Sequence, residues 1–262
     1  MSDGAWGPLE SHLRARRDAG AKLLVPYITG GLGEDWLDTV RAAAEAGADA
    51  IEIGIPFSDP VMDGPVIQEA SDRALGTGAT PQSILDELRE ADAGVPLVVM
   101  TYYNICFRMG HRRFAAALKA AGVAAAILPD LPLDEVRPWA ESADHVGVET
   151  VLLAAPTAPD ERLPRICERA RGFVYAVGLL GVTGERDQLA ASATVIAGRL
   201  KAVTDKPVLI GVGVSNAEQA VEASRVADGV IIGTSVVRRM LEGAGPVGVG
   251  AFVAEVREAL DG

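Results

Sequence analysis

The sequence predicts a (β/α)8 TIM barrel formed as a single domain over residues 1–262. Three observations carry that expectation. Eight short apolar runs rich in β-formers alternate with longer, Ala-rich amphipathic segments, the pattern of a parallel sheet whose strands are joined by helices. The composition is 49% hydrophobic but only 5% aromatic, so the core must come mainly from Ala, Val, Ile and Leu, as in strands covered on both faces. Finally, no Ser- or Pro-rich linker divides the 262 residues, a length that suits one closed barrel.

The runs at 23–28, 49–53, 97–101, 124–128, 149–153, 173–177, 208–211 and 229–232 are the predicted strands. Helices are expected at 34–46, 81–91, 112–121, 133–142, 160–170, 189–203, 216–224 and 247–260. Three additions are expected: an N-terminal helix at 9–17 capping the barrel's bottom, and extra helices after strands two and eight, the first at 65–75. In such a barrel, chemistry sits on the loops that follow the strands.

Composition excludes several classes. A net charge of −12 without a basic run leaves nucleic acid and anionic membranes as poor partners. The first residues lack a charged region followed by an apolar one, and no apolar stretch reaches the roughly 18 residues of a spanning helix, so a cytoplasmic protein is expected. Cys106 and Cys167 form no CxxC pair; neither a zinc site nor a disulfide is expected. His12, His111 and His145 lie far apart, so no metal is expected. Lys22, Lys119, Lys201 and Lys206 fall at helix ends or strand starts, away from the catalytic end a Schiff-base lysine must reach.

Two carboxylates stand out near the second strand. Side chains alternate along a strand, so Ile51 and Ile53 share one face while Ala50, Glu52 and Gly54 share the other. If the Ile face packs on helices, Glu52 points into the barrel, where burial raises a carboxyl pKa into the range useful for proton transfer. A structural Glu paired with an Arg or Lys explains the spacing equally well. Asp63, before Gly64-Pro65, reads either as a helix cap or as the partner in acid–base chemistry.

Glycine loops follow the last three strands: Gly181-Val-Thr-Gly184, Gly211-Val-Gly213 and Gly233-Thr234-Ser235. They let backbone amides approach an anion, and loops seven and eight form the recurring phosphate site of this barrel class. Tight turns alone would also call for glycine. No Lys follows in a Walker A frame, so the reading is a small phosphorylated substrate facing an acid–base pair.

The segment from Glu52 to Gln68, EIGIPFSDPVMDGPVIQ, closely resembles the signature of the tryptophan synthase alpha subunit family. The resemblance continues at Met100-Thr-Tyr-Tyr-Asn104, Pro129-Asp-Leu-Pro132, Ala155-Pro-Thr157, Gly181-Val-Thr-Gly184 and Gly211-Val-Gly213, spanning nearly the whole chain in order. It implies retro-aldol cleavage of indole-3-glycerol phosphate to indole and D-glyceraldehyde 3-phosphate in tryptophan biosynthesis, without a cofactor. By motif match Glu52 would be the acid–base residue and Asp63 would bind the indole N–H. Tyr175 would line the site near Glu52, and Thr183 would belong to a closing loop. Gly184, Gly213, Gly233 and Thr234 would bind phosphate. Tyr27, Met100, Ile127, Leu153 and Val212 would flank the indole ring. A tryptophan synthase beta subunit, in an α2β2 assembly, would be the partner.

Four departures from the family pattern concern the loops. Gly178, Leu179 and Leu180 follow the sixth strand where a Ser and an Arg are usual, and Ile105-Cys106-Phe107 replaces a Pro-led turn after Asn104. Val212 stands for a common Phe, and Thr29-Gly-Gly-Leu-Gly33 for Thr-Ala-Gly-Asp-Pro. They keep two alternatives open: a stand-alone lyase releasing free indole, and a non-catalytic activator of a beta partner. Another phosphosugar enzyme on the same barrel remains a weaker third.

Overall fold

All eight expected strands form, and they close on themselves. In a computed structural model describing residues 6–178, 186–211 and 214–262, β1 (Leu23–Thr29), β2 (Ile51–Gly54), β3 (Leu97–Met100), β4 (Val123–Ile127), β5 (Glu149–Ala154), β6 (Val174–Val177), β7 (Val208–Gly211) and β8 (Gly229–Ile232) make a closed barrel in sequence order. Every pairing is parallel, including that of β8 with β1.

Helices α1 (Pro8–Asp18), α2 (Trp36–Glu45), α3 (Pro65–Gly76), α4 (Pro81–Leu88), α5 (Tyr103–Met109), α6 (His111–Ala120), α7 (Arg137–Val146), α8 (Arg162–Arg169), α9 (Arg186–Lys201), α10 (Ala217–Ser224), α11 (Thr234–Leu241) and α12 (Gly245–Asp261) complete the described chain. Helices α3 and α11 are the extra helices expected after strands two and eight. Helix α5 was not foreseen: it is short, and Cys106 is its single buried side chain, so it carries no apolar period. Helix α7 begins later than expected because Pro132 to Glu135 forms a turn, the Glu135 N–H donating to the Pro132 carbonyl at 2.9 Å. Pro138 then fixes the helix's first turn, and Gly147 ends it in the left-handed region.

Strand alternation sorts the apolar residues into two cores. Ile51 and Ile53 join Trp36, Val40, Ile84 and Leu85 between sheet and helices. Ala50, Val98, Ala125, Val151, Phe173, Leu209 and Ile231 fill the barrel interior. From below, Leu9 and Leu13 of α1 enter that interior cluster, so the N-terminal helix does close the bottom. The Glu149 carboxylate, at the start of β5, accepts the Leu9 and Glu10 N–H groups at 2.7 and 3.0 Å. It thereby satisfies donors that a helix N-terminus leaves unpaired. Cys106 and Cys167 are buried free thiols. No helix among the described residues is long and apolar enough to cross a membrane.

Candidate active site

Glu52 stands on β2, across the ladder from Tyr27 on β1 and Val98 on β3. It is 1% exposed. Its Oε2 has no hydrogen-bond partner, and among the described residues no Lys, Arg or His pairs with it. The reading of Glu52 as half of a structural ion pair therefore fails. Burial first, and the Asp63 charge second, push its pKa up to about 8. A carboxyl group so placed is a neutral acid at pH 7, able to give a proton and take it back.

Two tyrosines flank it. A methyl at Gly54 would overlap the Tyr27 hydroxyl, and one at Gly211 would overlap that of Tyr175. The glycines thus let each phenol lean across the neighbouring strand beside Glu52. Burial, reinforced by Glu52 and Asp63, raises both phenol pKa values, so both hydroxyls remain neutral.

Asp63 lies on the loop after β2 and does not cap α3. Gly64 is the N-cap, and no side chain bonds to the helix start. The Asp63 carboxylate instead faces the cavity holding Glu52. Burial raises its pKa, while the neighbouring Tyr102 hydroxyl acts the other way. Tyr102 was not singled out from the sequence. It is buried, its ring stacks on Phe57 with centroids 5.1 Å apart, and its hydroxyl accepts the Met62 N–H at 3.0 Å.

One cavity of about 140 Å³ gathers Tyr27, Glu52, Asp63, Met100, Tyr175, Gly233 and Thr234, with Gly211 of the seventh-strand glycine loop, joined by Ile67 and Ile231, which sequence reasoning did not single out. Ile231 and Gly211 were legible as inward positions of their strands. Ile127 and Leu153 are not on the cavity wall. Ile127 and Leu153 both pack with the barrel interior, and Leu153 also borders a separate cleft with Leu128, Pro129 and Leu131. Thr183, Gly184, Val212 and Gly213 lie outside the described residues. After β8, one strand beyond β1, Gly233 and Thr234 bring the N-terminus of α11 to the cavity, a natural anion seat. The Ser235 hydroxyl is not free for that task, since it donates to the Val214 carbonyl at 2.9 Å.

Other chemistries find no support in the geometry. Lys22 bonds to the Ser224 and Ala227 carbonyls, Lys201 to Asp228, and Lys206 lies 3.7 Å from Glu10, all at the end of the barrel closed by α1. No group of three His, Cys, Asp or Glu side chains suited to a metal occurs among the described residues.

Comparison with known proteins identifies the family and agrees with the fold. The family model for the tryptophan synthase alpha chain matches residues 13–249. The tryptophan synthase alpha chain of Streptomyces coelicolor is 44% identical over 97% of each chain, and that of Thermobifida fusca is 44% identical over 89% of each. A structure of Mycobacterium tuberculosis tryptophan synthase superposes with a TM-score of 0.89 at 36% identity, covering 97% of this chain and 98% of its own. The tryptophan synthase alpha chain of Legionella pneumophila gives 0.87 at 30% identity over 98% of both. The chain belongs to the tryptophan synthase alpha chain family.

Proposed function

We propose that Glu52 and Asp63 together perform the carbon–carbon cleavage of this family, splitting indole-3-glycerol phosphate into indole and D-glyceraldehyde 3-phosphate. The lyase reaction belongs to the family and serves tryptophan biosynthesis; the residue roles are our assignment. One observation carries them: a buried carboxyl group with an unpartnered oxygen shares a small cavity with a second carboxylate.

The neutral Glu52 acid delivers its proton to ring carbon C3, and positive charge develops on the ring nitrogen. Asp63, accepting the ring N–H, stabilises that charge. The Glu52 carboxylate then removes the proton of the hydroxyl on the carbon attached to the ring. The carbon–carbon bond breaks, its electrons restore the indole, and the hydroxyl carbon becomes the aldehyde. Glu52 ends as it began, and no redox partner or cofactor enters the balance. Tyr27 and Met100 flank the ring, with Tyr175 beside Glu52. Phosphate sits at Gly233 and Thr234, with Gly184 and Gly213 assigned to it by motif and Thr183 to the closing loop.

The whole chain works as one cytoplasmic domain and pairs with a tryptophan synthase beta subunit in an α2β2 assembly. Supporting the partnership, Val61 is 80% and Phe107 63% exposed, with Met62 also open to solvent. Val61 and Met62 lie on the loop after β2 and Phe107 on α5, exposed apolar groups that a partner surface could cover. The test is indole release by the purified chain, alone and with a beta subunit. Release that rises strongly on mixing supports the assignment. High unassisted turnover, unchanged by the beta subunit, identifies a stand-alone lyase, and no release in either case removes the catalytic reading.

A further inference from the structure

Asp63 stands on a loop rather than on a strand, yet its proposed task needs the carboxylate held still at one place in the cavity. Something must fix it, and the contacts of Tyr102 are arranged to do so. Tyr102 lies between β3 and α5 and is 4% exposed. Its ring stacks on Phe57, at the start of the Asp63 loop, with an interplanar angle of 27°. Its hydroxyl oxygen accepts the backbone N–H of Met62, the residue next to Asp63. A phenol oxygen that accepts one hydrogen bond still carries its own proton. Beside it lies the Asp63 carboxylate, near enough that the phenol favours its ionised form.

We propose that Tyr102 is the positioning residue for Asp63: ring and hydroxyl clamp the two ends of the loop from Phe57 to Asp63, and the phenolic proton orients the carboxylate toward the indole N–H. The proposal rests on Asp63 binding that N–H, as assigned above. Three features favour a positioning role over simple packing. The contact to Met62 is a directional hydrogen bond to backbone, which Phe cannot make. The stack and the hydrogen bond grip opposite ends of one loop. Finally, among the described residues the charged and titratable groups facing the pair are Glu52, Tyr27, Tyr175 and Asp130, none of them cationic, so the Tyr102 phenol, bound to the residue next to Asp63, is the group suited to hold an ionised Asp63.

The test compares binding of two non-cleavable ligands, an indole-3-alkyl phosphate and its benzofuran counterpart, which lacks the ring N–H. The native chain is expected to prefer the indole ligand by about tenfold or more. Asp63→Asn and Tyr102→Phe should each lose most of that preference, and the double variant should lose no more than Asp63→Asn alone. Tyr102→Phe should also raise the apparent pKa of the acid limb of indole release, because the hydroxyl that favours ionised Asp63 is gone. If Tyr102→Phe weakens both ligands equally and leaves the acid limb in place, Tyr102 is only structural and the proposal is overturned. If Asp63→Asn keeps the N–H preference, the assignment of Asp63 itself fails, and the two failures are told apart. Should Tyr102→Phe not fold, Phe57→Leu loosens the same clamp while keeping the hydroxyl. It is expected to reduce the preference partly, and a full native preference there contradicts the clamp.

Discussion

Tyr27 and Glu52 are direct partners in the β1–β2 register, and the tyrosine hydroxyl leans over Gly54, two residues beyond Glu52. The carboxyl group is thereby walled in by a phenol, with one oxygen left without a partner. Its chemistry follows from that enclosure.

Burial holds Glu52 neutral up to about pH 8, and the first proton transfer needs the neutral acid. The kcat/KM for indole release should therefore fall as pH rises through about 8. Steady-state assays across that range check it, and a flat profile contradicts the role. Stability follows the same linkage. The folded chain keeps this proton where the unfolded chain has lost it, so native stability drops as pH rises from the ordinary carboxyl range to about 8. Glu52→Gln escapes the loss. Its stability advantage in denaturant melts should grow over that window, to the order of a few kcal/mol, and level off above it.

Close approach at the glycines gives a second expectation. Gly54→Ala places a methyl on the Tyr27 ring and hydroxyl, so the phenol must shift from its place beside Glu52. The substitution should destabilise the fold by about 1–3 kcal/mol, and replacing Tyr27 with Leu in the same chain should recover part of the loss. Urea unfolding measures both, and an unchanged midpoint in Gly54→Ala contradicts the packing.

The phosphate seat can be separated from stability. A methyl at Gly233 would meet only Tyr27, its Cβ at 3.6 Å and its Cγ at 3.9 Å, ordinary contacts. Gly233→Ala should therefore keep its melting temperature while its KM rises by roughly tenfold, as expected for crowding a charged hydrogen-bonded group. A KM that stays native removes Gly233 from the phosphate site.

At the other end of the barrel, Glu149→Ala leaves the Leu9 and Glu10 N–H groups without their acceptor. Loss of this buried bridge should destabilise the chain by about 1–3 kcal/mol. It should also expose the junction before α1 to proteolysis. Native resistance and an unchanged unfolding midpoint contradict the view that this carboxylate anchors α1.

Much of this was legible beforehand because barrel strands leave a strict record. Alternation around Ile51, Glu52 and Ile53 assigned the carboxylate to the inside, and the structure places Ile51 and Ile53 against helices. What alternation cannot supply is depth. Ile127 and Leu153 point inward as expected, yet both pack with the barrel interior and neither reaches the cavity wall. Tyr102 stood in the Met100–Asn104 block, but its role was not legible, since its partners, Phe57 and Met62, are some 40 residues away along the chain and a turn residue has no period. Helix α5 is too short to show one. Asp63 was ambiguous because Asp before Gly-Pro fits a cap; only the extended Gly64 N-cap with no side-chain bond decided against it.

The central claim is that Glu52 moves the proton, and one comparison tests it most directly: Glu52→Gln against the native chain. The variant should bind the non-cleavable indole-3-alkyl phosphate with native affinity while indole release falls by about a thousandfold, the scale of a lost general acid–base group. Tight binding with release still within about tenfold of native would contradict the account, because general acid–base catalysis is worth more than that.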